Sequence, residues 1–304
     1  MPKDLEPHFD DVQAHYDLSD EFFRLFLDPS QTYSCAYFER EDMTLEQAQL
    51  AKIDLSLGKL RLQPGMRLLD IGCGWGATMH RAVEKYDVNV VGLTLSKNQA
   101  VAAQAALDTM DTSRSRQVLL EGWECFDEPV DRIVSIGAFE HFGHERYDDF
   151  FTMTANVLPP DGVMLLHTIS GLTYPQMQER GLPLTFAMAR FIKFIVTEIF
   201  PGGRLPTIEM VQDHAAAAGF TLTQRQSLQP HYVRTLDCWA RALESHREEA
   251  IAVQSQEVYD RYMRYLTGCS DGFRAGYIDV TQFTLEKQDS RRDPPAPGSS
   301  KPGR

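Results

Sequence analysis

The chain has 304 residues, 43% apolar and 24% charged, the composition of a globular protein with material for one large domain or two small ones. Its net charge of -13 sets it against non-specific nucleic-acid binding, which depends on Lys and Arg neutralising phosphates. No apolar run is long enough to cross a bilayer, and Met1-Pro2-Lys3-Asp4-Leu5-Glu6 lacks the regions of a secretory signal, so the expected location is cytoplasmic.

Residues 9–62 are mostly helical in pattern and dense in aromatics, and they read as a cap ahead of a sheet. Within them stands Tyr33-Ser34-Cys35-Ala36-Tyr37-Phe38. The first strand, 67–71, runs through Leu68-Leu69-Asp70-Ile71-Gly72-Cys73-Gly74-Trp75-Gly76 into a helix at 77–86. A Gly-x-Gly-x-Gly turn at a strand end lets a ligand approach backbone that side chains would otherwise cover. Its spacing differs from the dinucleotide fingerprint, and a lone glycine turn is weak evidence. Here, however, it opens a series of alternating β-α units, the pattern of an α/β sheet. The second strand, 88–93, leads to a helix at 97–108 through Gly92-Leu93-Thr94-Leu95-Ser96-Lys97-Asn98-Gln99. Such folds usually place an acid there for the ribose hydroxyls; only the neutral Thr94 and Gln99 are available. After the third strand, 117–121, comes Gly122-Trp123-Glu124, an aromatic face apt for adenine and a carboxylate apt for its amino group. Plain packing is the other reading of Trp123.

The fourth strand, 132–136, runs into Gly137-Ala138-Phe139-Glu140-His141-Phe142, with a helix following at 145–157. The fifth, 163–168, carries His167. Glu140 and His167 would therefore sit at the carboxyl edge of the sheet, where open α/β folds bind ligands. A lone His on a strand is more often a satisfied core residue. Glu140, His141 and His144 share helical spacing, but no further ligand group has zinc spacing, so no metal is expected. Residues 171–204 break the alternation: 182–200 are helix-like and include Phe186, Phe191, Ile192, Phe194, Ile195, Ile199 and Phe200. That surface belongs either to a well-buried core helix or to the wall of a site for a long apolar ligand. A helix at 208–218 and β-like runs at 221–228 and 277–285, extending one edge, complete the pattern. The tail, 288–304, is rich in Pro, Ser, Gly and charge and is expected to be disordered. Cys35, Cys73, Cys125, Cys238 and Cys269 contain no C-x-x-C pair and read as free thiols.

Five of these strings, the last being Leu266-Thr267-Gly268-Cys269, closely resemble the motifs of mycolic acid cyclopropane synthases, the mycobacterial branch of cyclopropane-fatty-acyl synthases. The likeness runs from about His8 to Lys287. It implies a class I S-adenosylmethionine-dependent methyltransferase: one Rossmann-like α/β domain over 1–287, with seven mainly parallel strands, a helical cap at 9–62 and an apolar insert at 171–204. It implies a cofactor site formed by Tyr33, Ser34, Leu68, Asp70, Gly72, Cys73, Gly74, Trp75, Gly76, Thr94, Leu95, Gln99, Trp123 and Glu124.

The implied reaction makes chemical demands of its own. An isolated alkene is a poor nucleophile, so the methyl donor must be strongly electrophilic and held in line. Attack leaves a positive charge on the acyl chain, and ring closure needs a base to take a proton from the new methyl group. Negative charge beside a dry, apolar channel meets both needs. The resemblance implies that Cys35, Glu140, His167, Tyr232 and the Ile136 backbone hold bicarbonate as that base, and it brings Cys269 into the active site. It further implies substrate delivery by an acyl carrier protein, an acidic partner that Arg190, Lys193 and Arg204 are placed to meet. A mycolic acid methyltransferase giving a hydroxylated methyl branch shares all these motifs. A small-molecule methyltransferase would leave the apolar insert without a purpose. A non-catalytic lipid- or S-adenosylmethionine-binding module would leave the intact constellation without one.

Overall fold

The computed structural model describes residues 19–288. Residues 9–18 of the expected cap and 289–304 of the expected disordered tail lie outside them.

Among the described residues two helices precede the sheet: α1 (Asp20–Arg24), capped by Ser19, and α2 (Leu45–Gly58). A reciprocal capping box starts α2, with Thr44 accepting from the Gln47 amide and Gln47 accepting from the Thr44 amide. The chain then alternates as β1 (Arg67–Ile71), α3 (Ala77–Tyr86), β2 (Asn89–Leu93), α4 (Lys97–Asp108), β3 (Arg116–Leu119), β4 (Arg132–Ile136), α5 (Tyr147–Val157) and β5 (Val163–Gly171). The insert supplies α6 (Tyr174–Glu179) and α7 (Phe186–Phe194), which passes into a wider π turn at Ile195–Ile199. There follow α8 (Ile208–Ala217), β6 (Phe220–Ser227), α9 (Gln229–Ser245), α10 (Arg247–Val253), α11 (Gln256–Arg274) and β7 (Ile278–Lys287).

The seven strands lie in the order β3-β2-β1-β4-β5-β7-β6, and only β7 runs against its neighbours. Strand order reverses between β1 and β4, so the crevice for a ligand opens there, at the carboxyl ends of the strands. One face of the sheet packs on α5 and α8 through Tyr147, Phe150, Phe151, Val211 and Ala215. The other packs on α2, α3 and α4 through Ile53, Leu57, Met79, Val83 and Leu107.

Three expectations are corrected. The third strand ends at Leu119, freeing Glu121 to face the crevice. The helix at 182–200 begins only at Phe186, and it is not a well-buried core helix: Phe186 is 79% and Ile192 47% exposed, while Phe194 and Ile199 are buried. The cap is also larger than 9–62. Helices α9 and α11, unmarked in the pattern, pack Trp239, Tyr262 and Tyr265 against Phe22, Phe23 and Phe26 of the early segment. Each carries enough charge on its outer side to read as surface, yet buries an aromatic stripe that needs a distant partner.

Candidate active site

The first glycines after β1 set the floor of the crevice. Gly72 has φ +81°, and a Cβ there would lie 2.5 Å from that of Ala138, so only glycine fits both the turn and the close approach. Gly74, with φ +55°, has open space where a side chain would stand. The crevice above them is lined by Tyr33 and Ser34 from the cap and by Asp70, Cys73 and Trp75 from the β1 end. Thr94, Leu95 and Gln99 close it beyond β2, and Trp123 and Glu124 beyond β3. Leu68 and Gly76 do not line it. Leu68 points into the core beneath α2 and α3, and Gly76 turns the chain into α3 so closely that a Cβ would lie 3.0 Å from Ala103.

The polar groups around this crevice suit a zwitterionic nucleoside. Thr94 Oγ1 donates to Gln99 Oε1 at 3.0 Å, so these two neutral side chains orient one another at the end of β2. Trp123 is buried against Phe142 and Phe150, and its indole nitrogen has no partner. Packing and an adenine face are therefore compatible roles. The Glu124 carboxylate is held by Arg146 at 2.9 Å, which fixes its direction. Asp70 is 2% exposed, and its Oδ2 lacks a partner; burial pushes its carboxyl up to about 7. A ligand cation such as an α-ammonium would reverse that cost.

Lys52 was missed in the sequence. It is 1% exposed, lines the crevice, and donates from Nζ to Ser34 Oγ at 2.8 Å. Burial brings its ammonium down to about 8 despite nearby Cys35, Asp28 and Asp70. The available signal was spacing: Lys52 stands between Ala48 and Ser56 on the buried stripe of α2.

Of the residues expected at the chemical end, Ile136 lines the crevice, while Cys35, Glu140, His167, Tyr232 and Cys269 stand outside its lining. Register sets Ile136 beside His167 on β4 and β5. The Ile169 amide donates to Glu140 Oε1 at 2.6 Å and the Thr168 hydroxyl lies close enough to favour the ionised carboxylate, while Glu140 Oε2 is buried outside hydrogen-bond geometry. Burial lifts this carboxyl to about 7. Tyr232 lies in the electrostatic neighbourhood of Cys35, Tyr33, Cys269 and Glu140, and burial keeps its phenol fully protonated. Burial likewise raises both thiols, Cys269 to about 12 and Cys35 further, so neither is a thiolate at neutral pH. His167 is held neutral by burial and by the nearby Lys52 and Lys59 charges. These buried groups carry no thiolate at neutral pH, so neither cysteine acts there as a thiol nucleophile.

Glu140, His141 and His144 diverge. His141 packs on the Phe200 ring, and the His144 ring meets the Leu205 carbonyl at 3.1 Å. Among the described residues no group of three His, Cys, Asp or Glu side chains is placed to hold a metal. No described helix is long and apolar enough to cross a membrane.

The insert roofs the deep cluster. Phe191 of α7 lies against Gly268, where a Cβ would run into its ring, and Arg264 sits 3.9 Å from the Phe194 ring centroid. Arg190 and Lys193 are exposed on α7, and Arg204 reaches Glu145 at 3.7 Å in an exposed pair.

Comparison with known proteins gives the same picture. Residues 3–283 match the family described as mycolic acid cyclopropane synthetase. The chain is 74% identical over 287 residues to cyclopropane mycolic acid synthase MmaA2 of Mycobacterium tuberculosis, covering 94% of this chain and all of that one. It is 71% identical to cyclopropane mycolic acid synthase 1 of the same organism, with the same coverage. Among solved structures, that of MmaA2 superposes with a TM-score of 0.93, and that of CmaA1 complexed with SAH and CTAB with 0.92, each at 94% of this chain and 100% of the other. A coclaurine N-methyltransferase, 21% identical over 90% of this chain and 80% of its own, shares the fold with a TM-score of 0.73. The chain belongs to the mycolic acid cyclopropane synthetase family and is an S-adenosylmethionine-dependent methyltransferase of the class I fold.

Proposed function

We propose that this enzyme adds a methylene group to a double bond of a mycolic-type acyl chain, forming a cyclopropane ring, with bicarbonate bound in the deep cluster as the base. S-adenosylmethionine supplies the electrophilic methyl group, and bicarbonate, if held beside Glu140, Tyr232 and His167, would supply a base for the proton whose C–H electron pair closes the ring. The residues of this chain do the rest. Asp70 faces the α-ammonium, Thr94 and Gln99 the ribose, and Trp123 and Glu124 the adenine, which fixes the direction of the methyl group. The apolar wall of Phe191, Phe194 and Phe200 keeps water from the cationic acyl chain.

The single observation supporting the base assignment is the buried Glu140 carboxyl, whose Oε2 lies outside hydrogen-bond geometry with any side chain or backbone group although the Thr168 hydroxyl is near. With its carboxyl at about 7, Glu140 donates when protonated, and the protonated Tyr232 phenol lies in its electrostatic neighbourhood, while the Cys35 thiol points at the Ala36 and Leu228 carbonyls. Hydrogen-bond donors in an apolar pocket, with the Lys52 ammonium acting on Cys35 and His167, favour a small anion. The acyl chain arrives on an acyl carrier protein, whose acidic surface complements exposed Arg190, Lys193 and Arg204 in a cytoplasmic setting.

The test is mass spectrometry of an unsaturated acyl-carrier substrate after turnover in buffer depleted of bicarbonate and then replenished. A product heavier by CH2, formed slowly without bicarbonate and restored by adding it, is expected. A gain of CH2 plus water would instead assign a hydroxylated methyl branch. A rate indifferent to bicarbonate would remove the anion from the site.

A further inference from the structure

One row of the sheet continues inward from the anion cluster. Ile136, His167, Gln282 and Gln226 stand directly opposite one another on β4, β5, β7 and β6. Their register gives them one face, the face covered by α2. At the far end of the row Lys59, just past the C-terminus of α2, donates from Nζ to Gln226 Oε1 and Gln282 Oε1, at 2.6 Å each. Gln282 is fully buried and His167 is 1% exposed.

The direction of every bond in this row can be worked out. An ammonium only donates, so the Gln282 atom facing Lys59 must be its oxygen. The amide nitrogen of Gln282 then faces the other way, 2.9 Å from Ser56 Oγ and 3.2 Å from His167 Nδ1. Ser56 spends its own hydrogen on the Lys52 carbonyl at 2.8 Å, so it accepts from Gln282. His167 Nδ1 faces an N–H and must accept. A neutral imidazole that accepts at Nδ1 carries its proton at Nε2.

We infer that Lys59 and Gln282 are positioning residues that lock His167 in the Nε2–H tautomer, so that it serves the anion site as a hydrogen-bond donor and not as the proton acceptor. The tautomer follows from the row alone; its catalytic consequence rests on the proposed anion site. In that site a second basic nitrogen would compete with the anion for the proton released at ring closure. An N–H in its place strengthens the hold on the anion and removes the imidazole from that competition. Nothing in the family motifs reaches Lys59, Gln226 or Gln282, and each lies far in sequence from His167. Only the strand register brings them into line.

Nitrogen-15 NMR of imidazole-labelled enzyme tests the inference, with the His167 signal assigned by its loss in His167→Asn. The wild type is expected to show the proton on Nε2 near neutral pH, with or without bicarbonate. Gln282→Glu replaces the donor with an acceptor and is expected to move the proton to Nδ1, lowering kcat on the order of 100-fold, as loss of one aimed donor does. Its affinity for S-adenosylhomocysteine, read by calorimetry, should be unchanged. Lys59→Met, at a half-buried position where folding is less at risk, frees the amide to turn over and should give a mixture of tautomers with an intermediate rate. A wild-type His167 protonated on Nδ1 overturns the inference, as does a shifted tautomer with unchanged kcat. Should the expected tautomers and rates appear while the wild-type rate ignores bicarbonate, the positioning role stands and the anion reading fails.

Discussion

Two residues show how burial sets chemistry here. Glu140 keeps one oxygen on the Ile169 amide and buries the other outside hydrogen-bond geometry, and its carboxyl rises from 4.5 to about 7. The folded chain thus holds a proton that the unfolded chain has already released. Stability from that proton is complete below pH 4.5 and is lost as pH rises through 7. Gln has no such proton to lose, so Glu140→Gln should gain on the wild type across this window, by about 3 kcal/mol at most. Urea unfolding at a series of pH values measures it, and a constant difference between the two proteins would refute the burial account. Trp123 combines two roles that sequence could only set side by side. Since its ring packs on Phe142 and Phe150, Trp123→Ala should lose about 3–5 kcal/mol of stability. It should also weaken S-adenosylmethionine binding by about 1–3 kcal/mol if adenine stacks there. Unaltered affinity in calorimetric titration would leave packing as its whole purpose.

At the scale of the element, α7 is the informative case. Its apolar residues are divided between solvent and the cluster beneath, with Phe186 79% exposed and Phe194 4%. Phe186→Ser is therefore expected to change stability by less than about 0.5 kcal/mol, while Phe194→Ala costs about 3 kcal/mol. Equal losses in thermal unfolding would mean that the helix is buried on both sides. The neighbouring Gly268 offers a finer probe, since a methyl group there must displace the Phe191 ring. Gly268→Ala should cost about 1–3 kcal/mol by overpacking and impair acyl-chain turnover while S-adenosylhomocysteine still binds normally. Wild-type turnover in that variant would show that the contact between α7 and α11 does not shape the acyl site.

For the whole molecule, the cofactor crevice joins three bodies of structure: the loop at 30–34, the carboxyl ends of the first three strands, and the turn at 137–142. A ligand that binds only the folded chain stabilises it by about 2.7 kcal/mol at 100 times its Kd. For a protein of this size that raises Tm by roughly 4 °C. One cooperative transition should shift as a unit on adding S-adenosylhomocysteine. Hydrogen exchange should slow at 30–34, 72–75, 94–99 and 122–124 together. Two transitions, only one of them moving, would show that the cap and sheet unfold separately.

The sequence by itself determined what depends on neighbours along the chain. Short apolar runs between helix-like stretches marked the strands and their helices within a few residues, because strands of a sheet covered on both faces read as continuous apolar runs. The Gly72-Cys73-Gly74 turn was legible because positive φ and close approach exclude other residues. Thr94 and Gln99 were legible as a departure from an expected acid. Tertiary structure alone decided the rest. It brought α9 and α11 into the cap, turned half of α7 to solvent, and withdrew Leu68 and Gly76 from the crevice. It also set Lys52 beside Ser34 and aligned Lys59, Gln282 and His167 across the sheet. A buried polar residue acquires its role from the partner that satisfies it, and here Gln282 lies 115 residues from His167 and 223 from Lys59. Strand register is a property of the folded sheet, and no local pattern carries it over such separations.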